Sequence, residues 1–129
     1  MGAKTILVVD DNPDIVDYVC VLLEDHGYET RQASSSAAAL KELERSHIDL
    51  AIVDVLMPGR SGLDLLRSIR SSEAWSELPV VMLTGNDQVV QAGASSYLGH
   101  LSGLRAADVI LGKPLKPAEL METLEKLGV

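Results

Sequence analysis

A chain of 129 residues is near the usual size of one domain, long enough to bury a single core and too short for two. Its 47% hydrophobic and 23% charged residues exclude the composition of a disordered chain, and 19 carboxylates against 11 Lys and Arg, a formal charge of −8, exclude the basic footprint that grips a nucleic-acid backbone. With no Phe, one Trp and three Tyr, the core has to be filled by aliphatic side chains, as in a buried parallel sheet.

The first apolar run, Ile6–Val9, is short and β-branched and reads as a buried strand. It is followed by Asn12-Pro13, a cap residue before a proline at the first helical position, and then by apolar residues at helical spacing: Ile15, Val16, Val19, Leu22 and Leu23. Gly27 ends that helix. Tyr28–Gln32 is a weaker strand candidate, polar enough to lie at an edge. Ser34 to Ser36 offer caps for a second helix carrying Ala37, Leu40 and Leu43. Leu50–Val53 reads as the third strand, Ser61 as the cap of a third helix with Leu63, Leu65, Leu66 and Ile69, and Val80–Leu83 as the fourth strand. Val109–Leu111 makes a fifth strand, and Leu120, Leu124 and Leu127 mark a last helix. Counting a poorly specified fourth helix between Thr84 and Lys113, the pattern is five strands alternating with five helices. Alternation of this kind demands right-handed crossovers and a mostly parallel sheet with helices on both faces, so chemistry is expected at the carboxyl ends of the strands.

Those ends carry a constellation. The first strand runs into Asp10-Asp11-Asn12-Pro13 and the third into Asp54-Val55-Leu56-Met57-Pro58-Gly59. If the two strands are neighbours, Asp10, Asp11 and Asp54 crowd together, and their repulsion calls for a cation or raised pKa values. Oxygen-only ligands point to Mg²⁺ or Mn²⁺ rather than zinc. The fourth strand ends in Thr84 and the fifth leads to Lys113-Pro114, adding a hydroxyl and a cation. An acidic nucleophile, a metal, a hydroxyl and a lysine are what phosphoryl transfer to a carboxylate needs, because that reaction is mainly positioning and charge neutralisation.

Over essentially the whole chain these residues resemble the receiver domains of two-component response regulators, the CheY-like family. The resemblance implies a flavodoxin-like, doubly wound fold whose five-stranded parallel sheet has the order 2-1-3-4-5, with residues 1–129 forming a single receiver domain, either stand-alone or cut from a longer regulator. It implies Asp54 as the phosphorylated residue. Asp10 and Asp11 would hold Mg²⁺, Asp11 the more directly, with Asp54 and the backbone carbonyl of Leu56 completing the protein's share of the metal shell. Thr84 would hydrogen-bond a phosphoryl oxygen, Lys113 would pair with the phosphoryl group, and Pro114 would follow a cis peptide bond. The implied partners are a histidine kinase or phosphotransfer protein as donor and a downstream protein or fused output domain as reader. No direct nucleic-acid or membrane binding is expected, and the chain is expected to be a monomer or weak dimer. It would not be an enzyme acting on a substrate, since it catalyses only its own phosphorylation and dephosphorylation.

The sequence departs from the family at several positions. The family usually carries Tyr or Phe three residues before the lysine, where this chain has Ile110, so an aromatic-gated switch is not expected. The stretch from Thr84 to Lys113 exceeds the family norm and contains Gly93, Gly99 and Gly103, which suggests an atypical fourth helix within 85–108. Leu56 and Asn86 flank the position of the water that hydrolyses phosphoaspartate, and Leu56 cannot orient water, so slow self-dephosphorylation is expected.

Two other classes compete. An aspartyl phosphohydrolase of the haloacid dehalogenase type wants a second carboxylate two residues after its nucleophile, where Leu56 follows Asp54 and Asn12 follows Asp10. A flavodoxin-like cofactor binder wants a glycine- or hydroxyl-rich phosphate cradle after the first strand, where Asp10-Asp11-Asn12-Pro13 stands instead. The remaining residues have plainer readings. Cys20 falls in an apolar-periodic segment and reads as a buried hydrophobe; His26, His47 and His100 read as surface or capping residues; Trp75 and Tyr97 pack locally; Asp14 and Asp17 favour the dipole of the first helix. No apolar stretch approaches the ~20 residues of a membrane span and no basic leader precedes one, so a soluble cytoplasmic protein is expected.

Overall fold

The computed structural model describes residues 3–55, 62–85, 107–113 and 115–129. Among them are five strands, β1 (Thr5–Val9), β2 (Glu29–Ala33), β3 (Leu50–Asp54), β4 (Val80–Thr84) and β5 (Val109–Gly112). Four helices accompany them: α1 (Pro13–Asp25), α2 (Ser36–Arg45), α3 (Gly62–Ser71) and α4 (Pro117–Lys126). The helix expected between Thr84 and Lys113 falls on residues 86–106, outside the described residues. So do Leu56, Pro58, Gly59, the expected cap Ser61, Tyr97, His100 and Pro114.

All strand pairs are parallel and the sheet order is β2-β1-β3-β4-β5, the flavodoxin-like order. Alternation along the strands sorts the core into two layers. Ile6 and Val8 of β1, Leu50 and Ile52 of β3, Val81 and Leu83 of β4 and Leu111 of β5 pack with Val16, Val19, Cys20 and Leu23 of α1 and Leu120 and Leu124 of α4. The alternate residues, Leu7, Val9, Ala51, Val53, Val80, Met82 and Ile110, pack with Ala39 and Leu43 of α2 and Leu65, Leu66 and Ile69 of α3. The sheet is therefore covered on both sides, which is why its strands are continuous aliphatic runs. Cys20 is buried as a free thiol in the first layer, as its spacing predicts, and Trp75 packs against the second.

The helix ends follow the sequence signals. Asn12 Oδ1 accepts from the Asp14 N–H at 3.0 Å, and Pro13 opens α1. Gly27 takes the left-handed conformation (φ +90°) just beyond the helix, and His26 caps it with Nδ1 2.9 Å from Leu22 O. Ser35, the middle one of the three serines, caps α2 by accepting from the Ala38 N–H at 3.1 Å. Strand β2 lies at the edge, as its polarity predicts, but begins one residue later than the pattern suggests. Tyr28 still belongs to the turn: its N–H donates to Leu23 O and its hydroxyl to Val129 O. Ala33, one residue past the predicted end, is buried and pairs with Val9.

The amino edge of the sheet is closed by two aspartates that sequence reading did not single out. Asp49, just before β3, donates its N–H to Thr5 O and accepts the Thr5 N–H on Oδ2, both at 2.8 Å. Asp108, just before β5, does the same to Val80, at 2.9 and 2.8 Å. Arg70, near the end of α3 with only 1% of its side chain exposed, pairs with Asp108 at 3.2 Å and donates to the carbonyls of Ser76 and Leu78. The pair thus fastens α3 to the starts of β4 and β5. Removing one partner strands a buried charge, so Asp108→Ala is expected to cost about 3 kcal/mol of unfolding free energy. Asp49→Ala, which strands the Thr5 N–H and otherwise releases only the exposed His47 ring, should cost about 1–2 kcal/mol. Urea titrations with unchanged m-values check both, and equal losses would contradict the assignment.

Candidate functional site

Each expected site residue among those described stands at or just beyond the carboxyl end of a strand. Asp10 follows β1, Asp54 ends β3, Thr84 ends β4 and Lys113 follows β5. Parity explains part of the meeting. Asp10 continues the series Ile6 and Val8, Asp54 the series Leu50 and Ile52, and Lys113 the series Val109 and Leu111, all belonging to the layer beneath α1 and α4. Register does the rest, since Val9 pairs with Val53 and the two acidic residues come next on adjacent strands.

Lys113 Nζ lies 3.1 Å from Asp54 Oδ1 and 3.2 Å from Asp10 Oδ2, bridging the two carboxylates. Asp10 is 2% exposed and Asp54 6%, whereas Asp11 is exposed. The other Asp10 oxygen accepts the Asn12 N–H at 3.0 Å. Both oxygens of Asp10 therefore already hold protein donors, and Asp11 is the more open of the acidic pair. The Lys113 N–H donates to Thr84 O at 2.8 Å, so hydroxyl residue and lysine are tied through their backbones. Thr84 is buried at the same sheet edge.

Carboxylate oxygens of Asp10, Asp11 and Asp54 lie within 4.8 Å of one another, a group that could hold a cation. Among the described residues, three carboxylates meet one ammonium, so two formal negative charges remain over. All the side-chain donors are hard oxygens, and a divalent ion such as Mg²⁺ suits both the charge and the donor set. Asp14 and Asp17 stand apart from this group, exposed on α1. Ile110 is buried among Val80, Met82 and the α2/α3 layer, an aliphatic committed to packing. The Leu56 carbonyl and the peptide before Pro114 lie outside the described residues. The residue that sequence reading missed is Gly62, buried at the start of α3 against the Asp54 backbone. Its only sequence signal is a glycine opening a helix, where propensity does not ask for one.

An open parallel sheet carries an acidic pair, an acidic strand end and a lysine together at its carboxyl edge, with Thr84 ending the neighbouring strand, an arrangement of the receiver type. The model of the response regulator receiver domain matches residues 6–125, and the chain belongs to that family. It is similar to the chemotaxis protein CheY-3 of Vibrio cholerae, 33% identical over 126 residues covering 95% of this chain and 89% of that protein. It is also similar to the regulatory protein VanR of Enterococcus faecium, 35% identical over 116 residues, covering 90% of this chain but 46% of the relative. The chain spans about half the length of several such relatives. Among solved structures, the response regulator protein TrrA from Thermotoga maritima, in complex with Mg²⁺ and BeF, is 35% identical with a TM-score of 0.79, covering 96% of this chain and 98% of that one.

Burial by itself would push the Lys113 ammonium down, but the hydrogen bond and charge of Asp54, and then those of Asp10, outweigh it and hold its pKa above the ordinary 10.5. A raised folded-state value means that this contribution to stability is fully present below the unfolded value and lost as pH rises through the folded one. Without added metal, the wild-type chain should therefore lose more stability above pH 10.5 than Lys113→Met does. Urea titrations of both across that alkaline range test this, and parallel pH profiles would contradict it.

Proposed function

We propose that this receiver domain is a Mg²⁺-dependent phosphoacceptor whose nucleophile is Asp54, spanning residues 1–129 as one domain, alone or within a longer regulator. The observation that carries the reading is the Lys113 ammonium held 3.1 Å from Asp54 and 3.2 Å from Asp10, with Asp11 completing the acidic group. A partner phosphohistidine, on a histidine kinase or phosphotransfer protein, is the donor. An Asp54 oxygen bonds to phosphorus as the P–N bond breaks, and its electron pair returns to the imidazole. The transition state is loose and gains little from covalent help, so the protein's part is alignment and charge balance. Lys113 supplies positive charge beside the acceptor, and Thr84 supplies a hydroxyl for a phosphoryl oxygen. Mg²⁺ held by Asp10 and Asp11, the latter more directly, with Asp54 and the Leu56 carbonyl, would neutralise the charge that the lysine leaves over.

The product is read by a partner protein or an attached output domain. With Ile110 in the usual aromatic position, the signal runs through the backbone around Thr84, which is hydrogen-bonded to Lys113. The domain acts on no other substrate, binds no nucleic acid directly, works as a monomer or weak dimer, and resides in the cytoplasm, where a free buried thiol such as Cys20 is stable. Turnover of a foreign substrate is disfavoured because Leu56 and Asn12 stand where a phosphohydrolase needs an acid/base.

With Mg²⁺ and acetyl phosphate, the wild-type chain should gain one phosphoryl unit by intact-mass measurement and Asp54→Ala none; a gain in the variant would overturn the assignment. Once phosphorylated, Leu56→Asn should lose the group faster than wild type, because the amide can orient the attacking water. Equal or slower decay, followed by the same mass assay, would contradict this.

A further inference from the structure

Helix α3 begins against the backbone of Asp54 itself. Its first residue, Gly62, is buried, and its N–H donates to Val55 O at 2.8 Å. Val55 in turn donates its N–H to Leu83 O at 2.9 Å, so the peptide just after the acceptor is held from two sides. A methyl group on the Gly62 α-carbon would overlap the carbonyl oxygen of Asp54 and stand 2.9 Å from its carbonyl carbon and 3.0 Å from Met82 Cε. Backbone freedom is not the reason for the glycine, since the left-handed conformations among the described glycines occur at Gly27 and Gly128. Helix formation does not ask for it either, because glycine loses more conformational entropy than any other residue. At Gly85, by contrast, an added methyl would meet nothing within 4 Å.

We propose that Gly62 is a positioning residue for phosphoryl transfer: the absence of a side chain lets α3 seat directly on the Asp54 carbonyl and fixes the peptide that aims the nucleophile. This rests on the reading of Asp54 as acceptor. A side chain at this position can be accommodated only by moving α3 outward or by tilting the Asp54 peptide. The tilt would carry the carboxylate away from Lys113, 3.1 Å distant. Misplacing a reacting group by about an ångström costs on the order of 10²-fold in rate.

The test compares wild type, Gly62→Ala and Ile69→Val, the last removing one buried methyl from the same helix away from Asp54. Rates of phosphorylation by acetyl phosphate at saturating Mg²⁺ are read by intact mass in trimethylamine N-oxide, which favours the folded state. They are expressed per folded molecule, with the folded fraction taken from Trp75 fluorescence. Gly62→Ala is expected to slow at least tenfold, on the order of 10²-fold, and Ile69→Val to stay within about twofold of wild type, because a loosened helix alone does not misplace the acceptor. Adding Met82→Ala to Gly62→Ala should restore nothing, since the decisive overlap is with backbone. A Gly62→Ala rate equal to wild type, an equal slowing in Ile69→Val, or recovery in the double variant would each overturn the inference while leaving Asp54 as acceptor. A wild-type chain that takes no phosphoryl group would overturn both.

Discussion

The charge contact at the carboxyl edge is the constraint around which the molecule is arranged. Two nearly buried carboxylates on adjacent strands repel one another, and the ammonium of Lys113 between Asp54 and Asp10 makes their proximity tolerable. Such a contact needs rigid supports. Three parallel strands with aliphatic flanks supply them, each delivering one charged residue from the same face of the sheet to the same edge. The order β2-β1-β3 makes β1 and β3 neighbours whose connections leave in opposite directions, which opens the crevice into which those residues project.

The two edges of the sheet treat charge in opposite ways. At the amino edge, Asp49 and Asp108 are matched to backbone N–H groups of the neighbouring strands, and Asp108 is matched as well to the buried guanidinium of Arg70. Their negative charge is used up in holding the fold together. At the carboxyl edge, among the described residues, three carboxylates face one lysine, and their oxygens form a group that could hold a cation.

Close packing links the site to the core beneath it. Gly62 brings α3 onto the backbone of Asp54, and Met82 lies near the same point from β4. Ile110 fills the core on that side of the sheet beside Met82 and Val80. A side chain placed there for packing cannot also travel between interior and surface, and this distinguishes the chain from family members with an aromatic at that position. The Lys113 N–H to Thr84 O hydrogen bond joins the ends of β5 and β4 through their backbones.

Much of this was legible in the amino-acid order because the signals are local. Aliphatic runs bounded by polar residues mark buried strands, Asn12-Pro13 and Gly27 bracket α1, and Asp10, Asp11, Asp54, Thr84 and Lys113 each fall where a strand must end. Other features arise only on folding, since they depend on residues far apart in the chain that no periodicity connects. The Arg70 to Asp108 pair spans 38 positions, and nothing in either neighbourhood marks it. The start of β2 was decided by the hold of Tyr28 on Leu23 and Val129, contacts that propensity does not register. The need for glycine at position 62 follows from the distance between two backbones, a quantity set by how α3 packs on β3. Local pattern determined the elements and the kinds of side chain at their ends; three-dimensional packing decided which charges are paired and how closely α3 can approach Asp54, because those are distances between segments that sequence spacing leaves undetermined.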